Sequence, residues 1–90
     1  MSFVRILVAD DVADWRVGIR SILRAQPEGQ IICETGDGLR AVQMTAELRP
    51  DIVLLDIGMP SLNGIEAAKR MRQVSPDSSY ANHHSRAIGW

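Results

Sequence analysis

From Phe3 to Ala9 every position except Arg5 is apolar, and most are β-branched or aliphatic. Such a run predicts a strand buried on both faces, ended by Asp10-Asp11. Trp15, Ile19, Ile22 and Leu23 then recur at spacings of three and four, which predicts an amphipathic helix over 13–26, stopped by Pro27 and Gly29. Gln30 to Glu34, around Ile31-Ile32-Cys33, reads as a second strand, and Gly36-Asp37-Gly38 as a turn. Leu39, Val42, Ala46 and Leu48 mark a second helix, closed by Pro50. Asp51 to Asp56 sets four aliphatics between two acids and is the strongest strand signal in the chain. Gly58, Met59-Pro60 and Asn63-Gly64 make a loop. Asn63 with Glu66 has N-cap spacing, so a third helix is expected from there to about Gln73, with Pro76 beyond it.

Alternating strand and helix is the pattern of a parallel α/β fold, whose right-handed crossovers put helices on both faces of the sheet. Residues 77–90 carry no aliphatic run and no clear period. The expected division is therefore a domain over 1–76 and a divergent tail over 77–90.

Composition narrows the function classes. Ninety residues allow one small domain. A net charge of −1 argues against a dedicated nucleic-acid binder and predicts no DNA contact by this chain itself. The single Cys33 excludes a disulfide framework and reads as a small core hydrophobe. With no apolar run of membrane-spanning length and an acidic turn soon after the N-terminus, a cytoplasmic location without membrane contact is expected. Residues 1–60 hold six Arg and nine acids, whereas 61–90 hold four basic residues and two acids. The only lysine is Lys69. His83-His84 are adjacent, cannot share a helix face, and read as part of a polar tail.

The acids carry the candidate chemistry. Asp10 and Asp11 end the first strand and Asp56 ends the third. If those strands are neighbours, their backbones lie about 4.8 Å apart and the three carboxylates converge at the carboxyl edge of the sheet. Such a cluster repels itself and suits a hard divalent cation; Mg2+ accepts carboxylates, a backbone carbonyl and waters. A carboxylate beside that ion can take an activated phosphoryl group as an acyl phosphate. The competing reading is structural, since Asp at strand ends also caps helices and closes turns. A phosphatase of another α/β family, with an Asp nucleophile, is disfavoured by the adjacency of Asp10 and Asp11.

Leu-Val-Ala-Asp-Asp (7–11), Arg16-Val17-Gly18, Glu34-Thr35-Gly36-Asp37-Gly38 and the run from Pro50 to Ala67 together resemble the receiver domain of bacterial response regulators, in the subgroup that usually precedes a helix-turn-helix DNA-binding domain. The resemblance covers about residues 3–76. It implies a three-layer flavodoxin-like α/β fold with a parallel sheet, here truncated after the third helix to about three strands in the order 2-1-3. It further implies that Asp56 is the phosphoacceptor, that Asp10, Asp11 and Asp56 hold Mg2+, that Gly58 lends its backbone carbonyl, and that Met59-Pro60 and Asn63-Gly64 shape the site. The phosphodonor is then the phosphohistidine of a sensor histidine kinase. The chain would be an acceptor and not an enzyme.

The family also carries a Ser or Thr after its fourth strand, and an aromatic switch residue and a Lys on or after its fifth. Lys69 falls within the third expected helix, Tyr80 and Trp90 are no assured aromatic counterparts, and Val12 stands where the subgroup often has His. Slow, incomplete phosphorylation is therefore expected. The second reading is a non-switching receiver remnant serving as an assembly or decoy module. The truncated sheet would leave strand three as an open apolar edge, and a homodimer through that edge or the tail is expected.

Overall fold

The computed structural model of the chain describes residues 3–56 and 64–83. Seven elements follow in order: β1 (Val4–Ala9), α1 (Ala13–Arg24), β2 (Gly29–Thr35), α2 (Gly38–Leu48), β3 (Ile52–Asp56), α3 (Gly64–Val74) and β4 (Ser79–His83). The four strands form one parallel sheet in the order β2-β1-β3-β4. The expected order 2-1-3 is thus present and extended by one strand. Met59-Pro60, Gly58 and Asn63 lie outside the described residues.

The principal core lies between the sheet and the α2–α3 side. Leu7 and Ala9 of β1, Val53 and Leu55 of β3, Ala41 of α2, and Ala67, Ala68 and Met71 of α3 are buried together, with Cys33, Val42, Met44 and Tyr80 packed against them. The three alanines keep the helix faces small, so α2 and α3 can lie close to the strands. Alternation along β1 sends Ile6 and Val8 to the other face, where they too are buried. On that side a Cβ at Gly29 would make ordinary van der Waals contact, 3.5 Å from Ile6 Cδ1 and 3.7 Å from Leu23 Cδ2 of α1.

Helix α1 departs from its expected packing. Trp15, Ile19 and Leu23 make one half-buried stripe, but Ile22 is 68% exposed and the helix has no fully buried residue. Residue 22 lies about 100° around the helix from 23, and the stripe 15-19-23 takes the sheet-facing position.

β4 corrects the expectation that strand three ends the sheet. It pairs with β3 from Ile52↔Ser79 to Asp56↔His83, so the β3 edge is covered and residues 79–83 belong to the sheet. The segment Ser79-Tyr80-Ala81-Asn82-His83 has no aliphatic run, and Tyr80 packs it against the core. The Tyr80 hydroxyl lies 2.9 Å from the Met71 carbonyl and 2.8 Å from that of Ser75, at the end of α3. Just before the strand, the Ser78 hydroxyl donates to the Pro50 carbonyl and lies 2.7 Å from the Ser75 hydroxyl.

The amino edge of the sheet is tied down in the same way. The Arg5 N–H donates to Asp51 Oδ2 at 2.8 Å, and its guanidinium donates to the Arg49 carbonyl at 3.1 Å. Arg49 closes α2 in the left-handed region, with φ of 46°, and its N–H donates to the Thr45 carbonyl. Among the described residues no helix is long and apolar enough to cross a membrane.

Candidate metal and phosphoryl site

Two neighbouring parallel strands end level with each other. Ala9 of β1 pairs with Leu55 of β3, so the next residues outward, Asp10 and Asp56, follow side by side. Asp11 continues the turn. One carboxylate oxygen from each of Asp10, Asp11 and Asp56 lies within 4.8 Å of the other two. Asp10 and Asp56 are fully buried and Asp11 half-buried. The structure therefore brings together all three acids expected to converge. Gly58 lies outside the described residues.

Local backbone bonds fix the turn. The Asp10 N–H donates to the Thr35 carbonyl at 2.8 Å, prolonging the β1–β2 ladder by one step. Asp10 Oδ1 accepts from the Val12 N–H at 2.8 Å, an Asx turn that leads into α1. Val12 itself offers no side-chain cap, so the acids ahead of it face the positive end of the α1 dipole.

Electrostatics gives the cluster its chemistry. Two like unit charges at such a separation repel by about 3–4 kcal/mol at an effective dielectric of about 20, so three ionised carboxylates call for a compensating cation. The donor set fits Mg2+, which binds oxygen at about 2.0–2.1 Å in an octahedron, putting its ligand atoms about 3 to 4 Å apart. Carboxylate oxygens within 4.8 Å of one another lie close to that spacing.

Four residues near the acids were not singled out for a role by sequence reasoning. The Arg16 guanidinium donates to the Asp10 main-chain carbonyl. Its Nε stands 3.7 Å from Glu34 Oε1, while Arg20 Nε binds Glu34 Oε2 at 2.8 Å. Gly36 lies against this group, where an added Cβ would be 3.2 Å from Asp11 Cα and 3.3 Å from the guanidinium. The available signal was an acid at the end of a strand facing two arginines four residues apart on the preceding helix. A cleft of about 240 Å³ lined by Arg49, Asp51, Pro76 and Asp77 lies at the opposite edge of the sheet and takes no part in the acidic site.

The other singled-out side chains are structural. Burial pushes the Cys33 thiol above its usual pKa, and the residue packs against the core. Met71 is fully buried, Lys69 is exposed on α3, and Arg72 stands over the Tyr80 ring, 5.4 Å from its centroid.

Comparison with known proteins gives one consistent family. The response regulator receiver domain profile matches residues 6–81. The protein-glutamate methylesterase/protein-glutamine glutaminase of Thermotoga maritima is 42% identical over 73 residues, covering 81% of this chain and 21% of that protein. The transcriptional regulatory protein LiaR of Bacillus subtilis is 40% identical over 73 residues, covering 80% of this chain and 35% of that protein. Among solved structures, the response regulator domain of Thermotoga maritima CheB superposes with a TM-score of 0.82 at 38% identity, covering 89% of this chain and 59% of that one. The chain thus spans about a fifth to a third of the length of these curated relatives.

Proposed function

Because the chain belongs to the response regulator receiver family, we propose that it accepts a phosphoryl group on Asp56 within a two-component signalling system. The observation that carries this reading is the convergence of Asp10, Asp11 and Asp56 at the level ends of β1 and β3. In this reading Asp10, Asp11 and Asp56 hold Mg2+, and Gly58 lends its carbonyl. The ion supplies charge neutralisation for the carboxylates and for an incoming phosphoryl group. Asp56 provides the oxygen nucleophile, and burial of Asp10 and Asp56 keeps bulk water from competing around them.

The donor is a sensor histidine kinase, the setting is cytoplasmic, and the chain is the acceptor rather than the catalyst of a further reaction. The methylesterase relatives are named for whole proteins of which this chain spans about a fifth. A second copy is the other proposed partner. Since β4 covers β3, a homodimer would use the outer edge of β4, the outermost strand on that side among the described residues.

The test is intact mass after incubation with Mg2+ and a small acyl phosphate donor. The expected outcome is one added phosphoryl group, acquired slowly and absent in Asp56→Asn. Slow labelling is expected because the one lysine, Lys69, is carried by α3. A wild-type protein that gains no adduct at any donor concentration, or an Asp56→Asn variant labelled as fully as the wild type, contradicts the reading.

A further inference from the structure

Long side chains on a helix lean back toward its N-terminus. Arg16, in the first turns of α1, follows that rule and reaches back over the helix start to the main-chain carbonyl of Asp10. We propose that Arg16, anchored by Glu34, is a positioning residue that sets the Asp10–Asp11 turn for metal binding. The proposal rests on the reading that these carboxylates hold Mg2+.

Three sides of the turn are held by different groups. The Asp10 N–H is held by the Thr35 carbonyl, and Asp10 Oδ1 by the Val12 N–H, both at 2.8 Å. The remaining polar group of that residue's backbone, its carbonyl, is held by Arg16. This third contact fixes the rotation of the Asp10–Asp11 peptide, which determines how the two acids are presented relative to each other. Arg16 is itself tethered. Glu34 lies one residue before the end of β2 and pairs across to Val8, so its carboxylate is set by the sheet. Arg20 engages the same carboxylate one turn along α1, leaving Glu34 between two guanidiniums.

Gly36 packs tightly against this arrangement. A side chain there would meet Asp11 Cα at 3.2 Å, the Arg16 guanidinium at 3.3 Å and the Asp10 carbonyl at 3.5 Å. A Cβ at that residue would therefore press on the acidic turn and ask its neighbours to give by a few tenths of an ångström. Arg16 has 24% of its side chain exposed and fills no core position, so its removal bears on the orientation of the acids more than on folding. Partners that orient metal ligands typically govern 10- to 100-fold of affinity.

The test is a Mg2+ titration read by Trp15 fluorescence in a Trp90→Phe background, with a urea melt of each variant alongside. Arg16→Ala is expected to weaken Mg2+ binding at least tenfold while its urea midpoint stays near that of the parent. Arg16→Lys, which keeps a donor for the Asp10 carbonyl, should recover most of the loss. Arg24→Ala, on the same helix and outside this group, should titrate like the parent. If Arg16→Ala fails to fold, Glu34→Gln carries the test with an expected loss of two- to fivefold. Equal affinity in the parent and in these variants overturns the positioning role alone. A parent protein that shows no response to Mg2+ overturns the metal reading as well.

Discussion

The two ends of β3 are built on opposite principles. At its amino end, Asp51 accepts from the Arg5 N–H, the Pro50 carbonyl accepts from Ser78, and the Ser75 and Ser78 hydroxyls pair with each other. Each of these polar groups, the buried Ser75 and Ser78 included, meets a complementary one, which is what a stable edge requires. At its carboxyl end, Asp56 is buried beside Asp10 and Asp11, three groups of the same sign within 4.8 Å. The same strand thus has a stitched end that stabilises the fold and an end of crowded carboxyl groups that the proposed Mg2+ would balance. Substitutions at the amino end should act on folding and leave metal binding alone, and those at the carboxyl end should do the reverse.

The largest expected effect at the stitched end is from Ser78→Ala. It leaves the Pro50 carbonyl and the Ser75 hydroxyl without their shared partner, which costs about 1–3 kcal/mol for buried groups. Urea denaturation should show that loss, and the Mg2+ response should stay unchanged. A change in Mg2+ affinity with stability intact would break the comparison.

Tyr80→Phe removes a single hydroxyl from the end of α3 and should cost about 1 kcal/mol. The wild-type residue adds a pH signature. Burial raises the Tyr80 phenol above its ordinary value of 10.0, with Ser78 and Arg72 acting in the opposite direction. Folding therefore favours the neutral phenol. Its contribution is complete below the unfolded-state value and is lost as pH rises through the higher folded-state value. The stability of the wild type above pH 10 should fall off more steeply than that of Tyr80→Phe; parallel curves would remove Tyr80 from the account.

The smallest effect is expected from the surface of α3. Arg70 and Glu66 form an exposed i,i+4 pair at 3.5 Å, and Arg70→Ala should change stability by no more than about 0.5 kcal/mol. A larger loss, read by the same urea melts, would show that this face carries load the structure does not assign to it.

The same contrast explains what the sequence made legible. Ile6 to Ala9 of β1 is buried on both faces, and Ile52 to Leu55 of β3 is buried on one face and half-buried on the other, so both stretches are aliphatic, and the acids after them mark the carboxyl edge. β4 is different in kind. Among the described residues it is the outer strand, where Ser79 and Ala81 are exposed and Tyr80 packs against the core, so hydrogen bonds from β3 and polar stitches to Pro50 and α3 replace the apolar pattern. A period-based reading registers aliphatic faces and has no access to a strand specified by its neighbour's backbone. The site shows a similar division. Asp10, Asp11 and Asp56 follow from strand ends, while the contact from Arg16 to the Asp10 carbonyl depends on how α1 lies over β2.

The central claim is that the carboxyl end of β3 is held in balance by a cation, and thermal unfolding with and without Mg2+ tests it most directly. A ligand bound only by the folded protein stabilises it by about 1.4 kcal/mol at ten times its dissociation constant. The account predicts that Mg2+ raises the melting temperature of the wild type in a saturable way. It also predicts that Asp56→Asn, with one charge fewer in the cluster, melts no lower than the metal-free wild type and barely responds to Mg2+. A wild-type melting temperature indifferent to Mg2+, or an Asp56→Asn variant that responds to the ion as the wild type does, would contradict it.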